Sequence, residues 1–147
     1  MPLTRELVPE CMEFQKKWSE IKGDVPDSLL KEEHVMVLDV LEHFDDLAVF
    51  GAALCINSKI EGFTLGGELN PDTAIVHIEK ANPEFKGIYQ ALNQMFCEKM
   101  LAKYTKVNRE QDMGDPGLRK AKLSYHPHHL VRKYIARMYT REGSKDL

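Results

Sequence analysis

Residues 47–80 read LAVFGAALCINSKIEGFTLGGELNPDTAIVHIEK, and this stretch decides the fold because three apolar segments are separated only by short turns. Asn57-Ser58 and Asn70-Pro71-Asp72 are typical turn sequences, and the segments between them are rich in residues that favour strands. We expect strands at Leu47 to Ile56, Ile60 to Leu69 and Thr73 to Lys80. Strands joined by connections this short must be antiparallel, so the stretch predicts a three-stranded meander.

The register of the meander can be predicted by requiring its apolar residues to meet on one face. Pairing residue 52 with 63, and 63 with 78, gives an apolar face of Phe50, Ala52, Leu54, Phe63, Leu65, Val76 and Ile78. The opposite face then carries small and polar residues, namely Gly51, Ala53, Gly62, Thr64, Gly66, His77 and Glu79. On this register His77 and Glu79 share a face, because they are two positions apart on one strand.

Two helical patterns precede the meander. After Val8-Pro9, apolar residues recur at helical spacing until Gly23, which is expected to end the first helix. Asp27-Ser28 is a suitable N-terminal cap for a second helix. Both helices have one apolar face, so we expect them to pack on the sheet.

Helix and strand patterns alternate after the meander. Gly87 precedes a third helix, Tyr104 to Asn108 predicts a short strand, and Asp115-Pro116 begins a fourth helix that ends near Ser124. Leu130 to Tyr139 predicts a last strand, or two bent ones. The order α-α-β-β-β-α-β-α-β indicates a single α/β (α+β) domain over residues 1–147, with a mixed, mostly antiparallel sheet and helices on both faces.

The bulk composition, 43% hydrophobic and 29% charged residues, is that of an ordinary globular protein. The three cysteines are far apart and have no CxxC spacing, which favours reduced thiols over a disulfide framework or a zinc site. No apolar run approaches the roughly 20 residues that span a bilayer. Residues 1–9 contain no apolar core of a secretory signal. These features predict a cytoplasmic protein without a transmembrane segment.

Charge is distributed unevenly along the chain. Of the 20 Lys and Arg residues, seven lie between Pro116 and Arg141, where there is no acidic residue. One interpretation is a solvated edge that balances the acidic helices. The other is a surface for phosphates, whether of a cofactor, a nucleic acid or a lipid head group, and charge alone does not choose among these.

Five motifs resemble a bacterial family of unknown function that is grouped with the C-terminal domain of phosphatidylglycerol lysyltransferases. They are LNPDT at 69–73, VHIEKA at 76–81, YQALN at 89–93, NREQDMG at 108–114 and GLRKAKLSYHP at 117–127. The similarity covers nearly the whole chain, and the last motif is long enough to be specific.

The resemblance implies a GNAT-like (N-acetyltransferase-like) acyltransferase fold without its first strand. Members of this grouping usually have two GNAT-like halves, and this chain is similar to the C-terminal half. The lysyltransferase relatives transfer an aminoacyl group from charged tRNA to a lipid head group, whereas ordinary GNAT enzymes use acyl-CoA. The resemblance therefore implies an acyl- or aminoacyl-transferase domain that acts with a partner half or as a homodimer. The alternatives are a non-catalytic ligand-binding or dimerisation module and a tRNA-binding half.

In the GNAT pattern, a glycine-rich loop before the main helix holds a pyrophosphate on its backbone N–H groups. The matching stretch here is residues 83–89, which keeps Lys86 and Gly87 as candidate cofactor-binding residues. Tyr89 stands where a second small residue is usual, and Glu84 would repel an anion.

The resemblance also suggests candidate catalytic residues. Glu79 and His77 are candidate bases, and Tyr125 is a candidate acid for the leaving group. The alternatives are that His77 bonds Thr64, that Glu79 pairs with Lys80 or Arg109, and that Tyr125 is a packed aromatic residue.

Three polar residues are candidates for binding substrate. Asn108 and Arg109 follow the short strand, at the sheet end where ligands bind in open α/β sheets, and Lys122 lies on the fourth helix. Arg109 could instead form an ion pair with Glu110 or Asp112. We expect no metal site, since the nearby histidines His126, His128 and His129 cannot easily converge on one ion.

Overall fold

The computed structural model describes the backbone of residues 1–21 and 27–137, and the side chains of residues 1–21 and 31–137. The chain divides into two compact units, residues 1–111 and 112–147. The first unit contains α1 (Val8–Ile21), α2 (Asp27–Glu42), β1 (Val49–Ile56), β2 (Lys59–Asn70), β3 (Thr73–Ala81), α3 (Ile88–Met100) and β4 (Lys106–Asn108). The second contains α4 (Pro116–Leu123). The predicted end of α1 at Gly23 lies outside the described residues.

The sheet has the strand order β1-β2-β3-β4, in which the first three strands are antiparallel and β4 runs parallel to β3. Asn57 (φ 51°) and Ser58 (φ 63°) both adopt left-handed backbone conformations, as a two-residue turn between twisted strands requires. The structure therefore confirms the predicted meander.

The predicted register is wrong, because β-bulges shift it. Ile56 pairs with Lys59 and Cys55 with Ile60, as predicted, but an irregularity between Leu54 and Cys55 then adds a residue to β2. Ala53 consequently lies opposite Phe63, which in turn pairs with Lys80 of β3. A bulge inserts an unpaired residue and reverses the alternation beyond it, so the apolar residues are divided between the two faces.

Each face of the sheet packs against its own helices. On one face, Ala53, Phe63, Leu65 and Ile78 join a core with Cys11, Phe14 and Trp18 of α1 and Val37 and Leu41 of α2. On the other, α3 covers two clusters that contain Ala74, Val76, Ala81, Leu92 and Phe96, with Phe50, Ala52 and Leu54 packed against them. The prediction of a mixed sheet with helices on both faces is confirmed.

In the second unit, the start of α4 is confirmed and the last strand is not. Asp115 caps α4, since its carboxylate accepts a hydrogen bond from the Leu118 amide at 2.6 Å. Residues 130–137 form no strand, and Met138 and Tyr139 lie outside the described residues. An apolar and basic alternation becomes a strand only beside another strand, and the described part of this unit, residues 112–137, contains none.

Over the described ranges, no helix is both long enough and apolar enough to cross a bilayer.

Candidate functional site

The site is built where β3 and β4 separate. The two strands pair only through Thr73, Ala74 and Ile75, opposite residues 106–108, while β3 continues to Ala81. The three residues at the end of the pairing, Asn108, Arg109 and Glu110, therefore lie beside a stretch of β3 without a β4 partner. This is the end of a parallel strand pair, where side chains from both strands can converge.

Asn108 sets the conformation of the turn after β4. Its side-chain oxygen accepts a hydrogen bond from the Glu110 amide at 2.8 Å, and Glu110 adopts a left-handed conformation with φ 54°. A residue with a β-carbon adopts the left-handed conformation at a cost of roughly 1 kcal/mol, so the backbone is strained at Glu110. The turn directs the side chains of Arg109 and Glu110 to opposite sides of the sheet.

On one side, Glu110 pairs with His77 of β3. The carboxylate oxygen Oε1 lies 2.7 Å from Nδ1 of the imidazole, and the two side chains are 33% and 40% exposed. The strand register passes from Val76 opposite Gly66 to Ile78 opposite Leu65, which leaves His77 without a cross-strand position between them. The bulge turns the imidazole toward α2.

The His77–Glu110 pair forms one end of a cavity of about 280 Å³. The rest of the wall is apolar and comes from α2, from the sheet and from Leu47 just before β1. The apolar lining residues are Met36, Val40, Leu47, Val49, Leu65 and Ile78.

The hydrogen bond to Glu110 defines what the imidazole can do. A carboxylate that accepts from Nδ1 requires the proton to be on that nitrogen, which leaves Nε2 of a neutral ring as a proton acceptor. Gly67 of β2 lies beside Nε2, and a β-carbon added to Gly67 would be 3.6 Å from it. The same β-carbon would be 3.2 Å from the Ala48 carbonyl oxygen, so a glycine at residue 67 avoids a close contact beside the imidazole.

On the other side of the sheet, Glu79 belongs to a polar network. Arg109 Nη2 lies 2.8 Å from Glu79 Oε2, and Asn93 of α3 donates to the same oxygen at 3.4 Å. The side chains of Arg109 and Glu79 are 23% and 11% exposed. The prediction that His77 and Glu79 share a face is therefore wrong, because the bulge at His77 reverses the alternation. Of the two alternatives weighed for Glu79, the Arg109 ion pair is the one present.

The loop before α3 keeps part of a phosphate site. Gly87 is the N-cap of α3 with φ 81°, and a β-carbon added there would meet no atom within 4 Å. Lys86 is exposed beside it. Tyr89, in the first turn, has its hydroxyl 3.1 Å from the Trp18 indole nitrogen, and burial raises the pKa of that hydroxyl. The loop thus offers a helix N-terminus, one glycine and one lysine to an anion.

The remaining candidates lie in the second unit. Lys122 is half-buried on α4, and Tyr125, 37% exposed, donates its amide to the Lys122 carbonyl oxygen. Arg119 hydrogen-bonds Asp112 and holds the pKa of that carboxyl at about 2. His128 and His129 contact one another, but across residues 1–21 and 27–137 no group of three potential ligands is arranged to hold a metal ion.

Sequence reasoning selected His77, Asn108 and Arg109 but missed Glu110. The signal available in the sequence was Asn108 itself, because Asn side chains hydrogen-bond backbone amides two residues later and stabilise tight turns. Such a turn after a short strand would have brought Glu110 toward β3.

Comparison of the whole structure with solved structures places the chain among GNAT acetyltransferase folds. A ribosomal-protein-alanine N-acetyltransferase from Brucella melitensis has a TM-score of 0.65 at 15% identity, over 94% of this chain and 98% of that one. AAC(6')-Iy, solved with the bisubstrate analogue CoA-S-monomethyl-acetylneamine, has a TM-score of 0.60 at 9% identity, over 95% and 97%. These similarities confirm the predicted fold class.

The chain belongs to the family described as phosphatidylglycerol lysyltransferase, C-terminal, whose model matches residues 1–137. A conserved protein of unknown function from Bacteroides thetaiotaomicron is 34% identical, with a TM-score of 0.80 over 88% of this chain. This chain spans 44% of the length of that protein. No curated protein sequence matches the chain.

Proposed function

We propose that this chain transfers an acyl or aminoacyl group to an amine or hydroxyl acceptor, with His77 as the general base. The observation that carries the proposal is the His77–Glu110 pair, 2.7 Å apart at the end of an apolar cavity. A histidine oriented by a carboxylate is a recurrent proton acceptor in acyl transfer. The acyltransferase fold and the family of the chain support the same reaction class.

In the proposed step, the acceptor nitrogen or oxygen forms a bond to the acyl carbon. His77 Nε2 takes the proton that the acceptor loses, and the Glu110 carboxylate stabilises the resulting imidazolium. The bond between the acyl carbon and the sulfur or ribose oxygen of the donor breaks, and the leaving group takes a proton from water. Glu79 and Arg109 are proposed to fix the separation of β3 and β4. Tyr125 and Lys122 stay predictions as an acid and as a substrate ligand.

Two donors are proposed for the test. Acyl-CoA is the first, because the N-terminus of α3 with Lys86 and Gly87 can hold one phosphate. Aminoacyl-tRNA is the second, because the family name describes a lysyltransferase. The basic residues of the second unit suit a tRNA phosphate backbone, whose binding must weaken as salt is added. A homodimer or an N-terminal partner half is part of the same proposal.

A transfer assay with the full chain tests this function. Each donor is mixed with a panel of primary amines and alcohols, and acylated products are measured by mass spectrometry. His77→Gln should reduce kcat by about 10²–10⁴-fold, the usual contribution of a general base. His43→Gln is the matched control, because His43 follows α2, pairs with Asp39 and does not line the cavity. That control should keep wild-type activity.

The second candidate function is a non-catalytic ligand-binding or dimerisation module. It is favoured by Tyr89, whose bulk occupies the first turn of α3 where a phosphate loop is normally small. Wild-type chain that transfers nothing from either donor, alone and with an N-terminal GNAT-like half, would support this candidate. Equal activity in wild type and His77→Gln would also refute the proposed role of His77.

A further inference from the structure

We infer that the cavity between α2 and the sheet binds the acceptor, and that the acceptor is a primary amine with a compact apolar arm. The inference rests on the proposed transfer function and names the substrate class of the same site. It follows from three properties of the cavity: its wall, its volume and its single charge.

The wall of the cavity is apolar except at one end. Leu65 and Ile78 of the sheet are buried, while Met36 of α2 and Leu47 are 46% and 42% exposed at the rim. A wall of this kind gains free energy by removing apolar surface of a ligand from water, and gains nothing from a sugar or a phosphate. The bound group therefore has an apolar arm.

The volume limits the size of that arm. Drug-sized ligands occupy pockets of about 300–1,000 Å³, and a cavity of about 150 Å³ is filled by one benzene ring. At about 280 Å³, this cavity is just below the first range. An arm equivalent to about ten carbon atoms fills it, by comparison with benzene.

The charge of the cavity distinguishes an amine from an alcohol. Glu110 supplies a carboxylate, and the side chains that line the cavity within the described residues include no lysine or arginine. An ammonium group at this end is attracted by the carboxylate as a full positive charge, whereas a neutral hydroxyl group can only donate a hydrogen bond to it. His77 lies at the same end. The ammonium loses one proton to water before its nitrogen attacks, and Nε2 takes the second proton when the bond to the acyl carbon forms.

Direct binding of linear alkylamines to the full chain, measured by calorimetry, tests the inference without any donor. Each added methylene that enters the cavity should raise affinity about fourfold, and the increase should stop at about ten carbons. Alcohols of equal length should bind more weakly. Glu110→Gln should remove the preference for the amine while the dependence on chain length remains.

A pair of variants on α2 provides the structural control. Val40 lines the cavity, so Val40→Phe should fill part of it. The chain length at which the affinity stops increasing should then fall by several carbons. Val35 is 64% exposed on the same helix and does not line the cavity, so Val35→Phe should leave the series unchanged. Both variants add the same ring, and thermal unfolding checks that both are folded.

The outcomes separate the inference from the proposed function. Chain-length-dependent amine binding without transfer from any donor would support this acceptor class and refute the transfer activity. Transfer to amines with equal efficiency at every chain length would support the activity and overturn the inference. Equal affinity for amines and alcohols, or an unchanged series in Val40→Phe, would also overturn it.

Discussion

The two faces of the sheet are completed in different ways. Beneath α3, Glu79, Arg109 and Asn93 form a polar network next to the apolar cluster around Phe96. Beneath α2, the apolar core ends at a cavity, and the polar pair in its wall, His77 and Glu110, is exposed to solvent by 40% and 33%. The same three-residue segment, Asn108 to Glu110, supplies a partner to each face. Arg109 pairs with Glu79 beneath α3, and Glu110 pairs with His77 beneath α2.

The difference indicates how one strand end can serve both stability and chemistry. An ion pair that is mostly buried must be held closely, because either charge alone would be costly in that environment. A more exposed pair contributes little to stability, and its side chains remain accessible to a ligand. This contrast supports the proposal that the Glu79–Arg109 pair stabilises the junction of β3 and the end of β4, and that the His77–Glu110 pair takes part in the reaction.

The largest effect on stability is expected on the α3 side. Arg109→Met removes the guanidinium that pairs with the Glu79 carboxylate, and the free energy of unfolding should fall by about 2–3 kcal/mol, measured by urea denaturation. The double variant Arg109→Met with Glu79→Leu should recover part of this loss, since the carboxylate is then removed together with its cation.

Lys17→Met is the control for this prediction. Lys17 pairs with Glu13 at 2.8 Å on α1, but both side chains are 66% exposed. An exposed pair of this type contributes little to stability, because water and salt screen it. A loss in Arg109→Met no larger than the loss in Lys17→Met would contradict the assignment of the buried pair to structure.

A smaller effect is expected at Glu110, and it separates backbone strain from function. Because Glu110 has φ 54°, Glu110→Gly should be more stable than Glu110→Ala by about 1 kcal/mol in the same urea assay. Both variants remove the carboxylate from His77, so both should lose transfer activity to a similar extent. Equal stability of the two variants would contradict a strained turn, and full activity in either would contradict the role of the carboxylate.

The sequence predicted the elements well because their signals are local. Turn residues such as Asn57-Ser58, the helix start at Gly87 and the cap at Asp115 act within a few residues, and the structure has each of them where expected. The last strand was predicted from alternation alone. Alternation of apolar and basic residues does not by itself supply a neighbouring strand. Residues 130–137 alternate in this way but form no strand.

The candidate site was harder to predict because it depends on pairing between distant segments. A bulge between Leu54 and Cys55, and another opposite His77, change which side chains share a face. No local pattern marks either bulge, since both reflect how the strands fit the helices that cover them. The residue type of His77 and its position on a predicted strand are enough to make it a candidate. Its partner Glu110 can be predicted only if the turn at Asn108 and the separation of β3 from β4 are known.

The smallest predicted effect concerns whether the cavity between α2 and the sheet extends into the core beneath α1. Cys11 of α1 lies on the same face of the sheet and is fully buried, and burial raises the pKa of its thiol to about 12 from 9.0. Iodoacetamide at pH 8 should therefore label exposed Cys55 first, half-buried Cys97 more slowly and Cys11 only on unfolding, as peptide mass spectrometry can follow.

The same shift in the pKa of Cys11 has a consequence for stability at high pH. The unfolded thiol ionises near pH 9 while the folded thiol does not until about pH 12, so the free energy of unfolding should decrease between those values. Cys11→Ala should lack this part of the decrease, which urea denaturation at pH 8 and pH 10 can measure. If Cys11 were labelled as fast as Cys55, the core between α1 and the sheet would be open to solvent. The contrast between a local cavity under α2 and a closed core under α1 would then be wrong.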